Sequence, residues 1–129
     1  MSGAATMYLD THVVVWLYQK DESRFSRSAL ELIESRDLVI SPIVLLELEY
    51  LFETGRITTK SRDIYGYLQE TIQIESCGKP FSSVVARAIG IKWTRDPFDR
   101  LITSHASIDD SDLLTKDTNI HTYYQFAVW

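Results

Sequence analysis

The chain alternates short apolar runs with longer segments of helical periodicity. Met7-Tyr-Leu9 is an apolar run ending in Asp10, the pattern of a buried strand. Ser26 to Arg36 carries Leu30, Leu32 and Ile33 among polar residues and predicts a helix. Leu38-Val-Ile40 predicts a second strand. Ser41-Pro42 then reads as an N-cap followed by proline at the first helical position. The helix expected from Ile43 to about Glu53 is apolar on most sides and should be largely buried, with Gly55 as its stop. A helix over Thr59 to Glu70, a short strand over Ile72 to Glu75 and a helix from Phe81 to about Ile91 follow. Asp96-Pro97 opens another helix containing Phe98, Leu101 and Ile102. Leu113-Leu-Thr115 and Phe126-Ala-Val-Trp129 read as the last strands, the second at an edge. Strands separated by helical stretches predict α/β architecture with a parallel sheet. Right-handed crossovers would place all strand C-termini on one edge, and sites form there where the strand order reverses.

The 129 residues suit one domain, with residues 1–6 expected as a short flexible tail and 7–129 as the domain. A content of 45% hydrophobic and 24% charged residues excludes disordered and low-complexity classes. No apolar run approaches the ~18–20 residues of a membrane span, and the first six residues lack the features of a secretory leader. The single cysteine, Cys77, excludes an internal disulfide framework or a cysteine-cluster zinc site, so a cytoplasmic location is expected. The net charge of −5 makes the chain a poor general binder of polyanions. If it acts on one, a bound divalent metal is a natural means of offsetting the local negative charge.

The informative feature is where acids fall on this map. Asp10 ends the first strand and Asp117 follows the Leu113–Thr115 strand, so both should sit on one sheet edge. Glu47 interrupts the apolar stretch Ile43-Val-Leu-Leu-Glu-Leu48, and an unpartnered buried carboxylate is costly, which points it into a polar cleft. Asp96 and Asp99 stand at the start of the Asp96-Pro-Phe-Asp-Arg100 helix. Each has a structural alternative. Asp96 fits an N-cap and Asp99 the capping-box position. Asp10 could be a cap or turn residue, Asp117 could start an Asx-turn, and Glu47 could pair with a buried arginine. Convergence on one edge favours a shared role. Clustered carboxylates repel unless a cation neutralises them, and oxygen-only donors suit Mg²⁺ or Mn²⁺ and not zinc. Such a centre serves phosphodiester hydrolysis.

Four segments together resemble the PIN-domain nucleases, and among them the VapC-type toxins of type II toxin–antitoxin pairs. They are Tyr8-Leu-Asp-Thr-His-Val-Val-Val-Trp16, Ser41-Pro-Ile-Val-Leu-Leu-Glu-Leu48, Arg95-Asp-Pro-Phe-Asp-Arg-Leu-Ile102 and Leu113-Leu-Thr-Lys-Asp117. The resemblance covers essentially the whole chain after residue 6. It implies a three-layer α/β/α sandwich with a short, mostly parallel, about five-stranded sheet. It also implies Mg²⁺- or Mn²⁺-dependent endoribonuclease activity, with the family's acidic quartet on Asp10, Glu47, Asp99 and Asp117 and an additional acid on Asp96. Thr11 and Thr115 match positions where a hydroxyl supports the carboxylates. Val44 departs from the Ser or Thr common in relatives. The implied partners are an RNA substrate, a small antitoxin and a second copy of the chain as a homodimer, with no membrane.

Arg95, Arg100 and Lys116 flank the acids and could meet RNA phosphates or pair with nearby carboxylates. Trp16, Trp93, Tyr123, Tyr124 and Trp129 could stack bases, though core packing suits Trp16 and Trp129 better. His12, His105 and His121 have no helical zinc spacing. Other readings remain open at this level. A haloacid-dehalogenase-like phosphatase would want Asp-x-Asp where Asp10-Thr11-His12 stands, and a phosphoaspartate receiver domain would leave Glu47 and Asp96/Asp99 unexplained. A catalytically silent PIN-like interaction module would be expected to have lost part of the quartet.

Overall fold

The computed structural model describes residues 5–129. Strand β1 (Thr6–Leu9) leads through α1 (Thr11–Gln19), a 3₁₀ turn at Glu22–Arg24 and α2 (Arg27–Ser35) into β2 (Asp37–Ile40). Helices α3 (Ile43–Glu53) and α4 (Ser61–Ile72) precede β3 (Glu75–Ser76). Helices α5 (Phe81–Ile89) and α6 (Pro97–Ser107) precede β4 (Asp112–Leu114), and α7 (Thr118–Tyr123) leads to β5 (Ala127–Val128). The sheet runs β3-β2-β1-β4-β5 with every pairing parallel. This is the expected α/β/α sandwich.

The three inner strands β2, β1 and β4 carry apolar residues into the core because helices cover the sheet. Met7, Leu9, Ile40, Leu113 and Leu114 are all fully buried. From β1 the chain builds outward to β2 and β3, then crosses back to add β4 and β5 on the other side. The order therefore reverses between β1 and β4, where Leu9 is in register with Leu114. That is where a parallel sheet opens a crevice at its carboxyl edge.

Several boundaries differ from the sequence expectation. The expected tail over 1–6 lies partly outside the described residues, and Thr6 already belongs to β1. The helix expected over Thr59 to Glu70 runs Ser61–Ile72, so Ile72 ends a helix and does not open a strand. Gln73 then adopts the left-handed conformation (φ 54°), which halts α4 and leaves β3 only two residues. Helix α3 starts at Ile43, after Pro42, while Ser41 Oγ accepts the Ile43 N–H at 3.3 Å. Gly55 (φ 77°) terminates α3 as expected. The last strand shrinks to Ala127–Val128, and α7 occupies a stretch to which the sequence pattern assigned no element. No helix among the described residues is long and apolar enough to cross a membrane.

Candidate active site

A cleft of about 490 Å³ opens at the switch point. Its walls include Asp10, Glu47, Asp96, Asp99 and Asp117, together with His12, Trp16, Arg56 and Lys116. The fold delivers these acids from separate elements. Asp10 follows β1 and caps α1, its Oδ1 accepting the Thr11 N–H at 2.8 Å. Asp117 follows β4 by three residues and caps α7, accepting the Ile120 N–H at 2.9 Å. Glu47 projects from α3, whose neighbours Val44 and Leu48 are fully buried in the core. Asp96 caps α6, accepting from Phe98 N at 2.8 Å and Asp99 N at 3.2 Å, and Asp99 stands in the first turn. Capping and cleft-lining thus coexist in three of the acids.

Two threonine hydroxyls hold carboxylates in place. Thr115 Oγ1 donates to Asp10 Oδ2 at 2.6 Å, and Thr11 Oγ1 donates to Glu47 Oε1 at 2.5 Å. Both threonines are fully buried, so these donors are fixed. Thr115 Oγ1 also accepts the Asp117 N–H at 3.1 Å, linking the two aspartates through one hydroxyl. His121 Nε2 donates to the Thr115 carbonyl at 2.6 Å and ties α7 to the same segment.

The electrostatics are one-sided. Asp10 is 8% exposed, and burial raises its carboxyl above the usual range against the bonds from Thr115 and Thr11. Glu47 is raised by burial and by the charges of Asp10 and Asp96, with Thr11 opposing. Asp99 is pushed up to about 7 by burial and by Asp10, Asp96, Asp117 and Glu47 together. The ion pairs among the described residues join Arg24 to Asp21, Arg36 to Asp112 and Lys79 to Asp109, and none reaches a cleft acid. The acids line one wall-to-wall space, but no three metal-ligating side chains among the described residues close into a ready-made cage. An open, all-oxygen donor set with unneutralised charge fits a hard cation that retains water, as Mg²⁺ does.

The flanking cations have different fates. Arg95 and Lys116 are exposed and have no carboxylate partner among the described residues. Arg100 lies outside the cleft wall and donates to the Ala88 and Ile89 carbonyls at 3.2 and 3.4 Å, at the end of α5. Arg56 carries no local mark in the sequence. It reaches the cleft through the turn after Gly55, and only the glycine stop hints at that reversal. Trp16 packs edge-on against Trp129 at 6.0 Å while still contributing to the cleft wall.

The sequence model of the PIN domain matches residues 7–125. The ribonuclease VapC22 of Mycobacterium tuberculosis is 31% identical over 121 residues, covering 92% of each chain. The VapBC2 structure from Rickettsia felis, bound to a promoter DNA fragment, superposes with a TM-score of 0.65 at 19% identity, covering 95% of this chain and 96% of the other. A toxin–antitoxin complex from Klebsiella pneumoniae gives 0.66 at 13% identity, with the same coverage. At such identities the structural matches speak for the fold alone.

Proposed function

The chain belongs to the PIN domain family, and from that premise we propose that it is a divalent-metal-dependent endoribonuclease, the toxin of a toxin–antitoxin pair. The observation that carries this reading is the cleft in which Asp10, Glu47, Asp99 and Asp117 meet, none of them in an ion pair among the described residues and outnumbering the Arg56 and Lys116 cations of the same wall. These four would hold Mg²⁺ or Mn²⁺, with Asp96 at the rim. A metal bound there supplies Lewis-acid stabilisation of charge on the phosphate oxygens and activates water for attack.

The chain's own groups have defined tasks. Thr115 and Thr11 orient Asp10 and Glu47 and oppose the upward push of burial on their carboxyls. Asp99, raised to about 7 in the metal-free cleft by burial and the neighbouring acids, would bind an arriving cation as the carboxylate, which relieves that repulsion. Lys116, exposed in the cleft wall, and Arg95, exposed next to Asp96 in the chain, offer cations for substrate phosphates. Arg100 serves as a cap for α5 in this reading. The phosphoaspartate alternatives leave Glu47, Asp96 and Asp99, which share the cleft with Asp10, without a task, and His12 stands where the phosphatase wants its second acid. The silent-module alternative has no support from a quartet that is complete.

The similarity to VapC22, and a fold shared with chains from toxin–antitoxin complexes, support a small protein antitoxin as the physiological restraint. The protein would then act in the cytoplasm, where RNA is the substrate. The test is incubation of purified protein with a mixture of structured RNAs plus Mg²⁺ or Mn²⁺, and with chelator. Discrete products that vanish with chelator are expected. Absence of cleavage with either metal, or cleavage indifferent to chelator, would overturn the reading.

A further inference from the structure

Trp93 and Tyr123 stack face to face outside the cleft wall. Their ring centroids are 5.4 Å apart and their planes differ by only 8°. Trp93 lies in the segment between α5 and α6, three residues before Asp96, and packs against the core. Tyr123 is the last residue of α7, the helix that Asp117 caps. Six residues of helix separate it from Asp117, about 9 Å of rise at ~1.5 Å per residue. Both partners are therefore carried by elements whose other ends present cleft acids.

Trp93 is half-buried, but its partner is open to solvent where a core pair would be covered on both sides. Tyr123 is 59% exposed, although the adjacent Tyr124 is buried and anchored through its hydroxyl to the Ser111 carbonyl at 2.6 Å. Tyr124 thus fixes the end of α7 while Tyr123 turns outward onto Trp93. The surroundings are polar and cationic: Asn119, His121 and Thr122 are exposed on α7, and Lys92 and Arg95 are exposed beside Trp93. Neither cation has a carboxylate partner among the described residues. In a chain of net charge −5, unpaired cations next to an open aromatic face are a matched set for a nucleotide. Aromatic residues with arginine and a polar rim also mark protein interfaces, so a protein occupant is the alternative that the test separates.

Resting on the ribonuclease reading above, we propose that the Trp93–Tyr123 pair is a stacking platform for an unpaired base of the RNA substrate. The base adds a third ring to the stack, and Arg95 meets the neighbouring phosphate. The platform holds single-stranded RNA across the cleft and discriminates against fully paired duplex, whose bases offer no free face.

The test compares wild type with Tyr123→Ala and Tyr123→Phe by steady-state cleavage. It also measures fluorescence-anisotropy binding of a short single-stranded RNA, with both tyrosine variants placed in a non-cleaving Asp99→Asn background. Tyr123→Ala should weaken binding and raise KM about tenfold while kcat stays within about twofold, and Tyr123→Phe should behave as wild type. Trp93→Phe, which keeps a ring in the core, should weaken binding less than Tyr123→Ala. If wild type cleaves but Tyr123→Ala keeps its KM and its RNA affinity, the platform is wrong and the nuclease reading stands. The platform is equally wrong if Tyr123→Ala lowers only antitoxin affinity, or if duplex binding suffers as much as single-strand binding. If wild type neither binds nor cleaves RNA, both fall together.

Discussion

Tyr8 and Asp10 stand two residues apart on the chain, yet they enter polar clusters of opposite kind. The Tyr8 hydroxyl donates to Cys77 Sγ at 3.0 Å and accepts from Lys79 Nζ at 2.6 Å. Lys79 also pairs with Asp109 at 2.8 Å and reaches the His105 carbonyl at 3.4 Å, while His105 Nδ1 lies 2.7 Å from Ser41 Oγ. Burial pushes the Tyr8 phenol up to about 12 and lowers the His105 imidazole, so both stay neutral. Burial works against the charge of Lys79, but its bonds to Asp109 and Tyr8 more than offset this. That cluster balances its charge internally. The cleft around Asp10 does not: its acids raise one another, and its hydrogen-bond donors are neutral threonines and backbone amides. A polar cluster that closes on itself holds the fold; one left with excess charge of a single sign is built for something that arrives from outside.

The largest expected effect comes from removing charge at the centre of the open cluster. Asp10→Asn keeps the shape but takes away a ligand charge. Cleavage with Mg²⁺ should drop by more than about a hundredfold, the upper end of what loss of a ligand's supporting partner costs. In chelator the variant should melt no lower than wild type, because like-charge repulsion falls. Rate assays and thermal melts of the same samples decide it, and retained activity would remove Asp10 from the centre. Next comes Thr115→Val, which deletes the 2.6 Å bond to Asp10 and the acceptor for Asp117 N while preserving volume. Metal affinity, read by titrating Mg²⁺ against cleavage rate, should weaken about 10- to 100-fold. An unchanged titration would make the threonine a mere packing residue.

These positions are legible because chemistry and periodicity coincide there. An apolar strand buried on both faces ends in an acid at Asp10, and another gives way to one at Asp117, so sheet geometry alone brings them together. Glu47 stands out against its apolar neighbours. The edge strands are hard to place because Glu75–Ser76 and Ala127–Val128 are two residues each, too short to carry a period. Helix α7 escapes sequence reading for a related reason: Asp117-Thr118-Asn119 suits an Asx-turn as well as a helix cap, and six residues give little amphipathic signal. The closed cluster is invisible in the sequence because its partners lie far apart, Tyr8 with Lys79 and Ser41 with His105. Nothing local marks such pairs.

The closed cluster should answer to stability and not to activity. Ser41 is fully buried, and Ser41→Ala removes both the His105 contact and an acceptor at the start of α3. A cost of about 1 kcal/mol in denaturant unfolding is expected, because His105 Nδ1 loses its shorter contact and keeps only the Leu101 carbonyl at 3.3 Å. The cleavage rate at saturating Mg²⁺ should remain within about twofold. A selective loss of activity without loss of stability would erase the distinction between the clusters.

The smallest effect is a difference between two pH profiles. The Asp99 carboxyl is raised from 3.8 to about 7 in the folded protein, so between those values the folded state binds more protons than the unfolded one. Stability from this group is therefore present below about pH 4 and lost as pH rises through 7. The His105 imidazole is lowered from 6.5, so its contribution has the opposite sense, present above pH 6.5 and lost as pH falls below it. Wild type alone would mix the two. Subtracting the melting profile of wild type from that of Asp99→Asn cancels His105, which both proteins share. In chelator the variant should gain most over wild type above pH 7, and the gain should shrink to nothing toward pH 4. Adding Mg²⁺ should abolish or reverse the gain at pH 7.5, because the wild-type carboxylate then meets a cation. A gain that is flat with pH, or indifferent to Mg²⁺, would mean that Asp99 is not held in the shared field of Asp10, Asp96, Asp117 and Glu47.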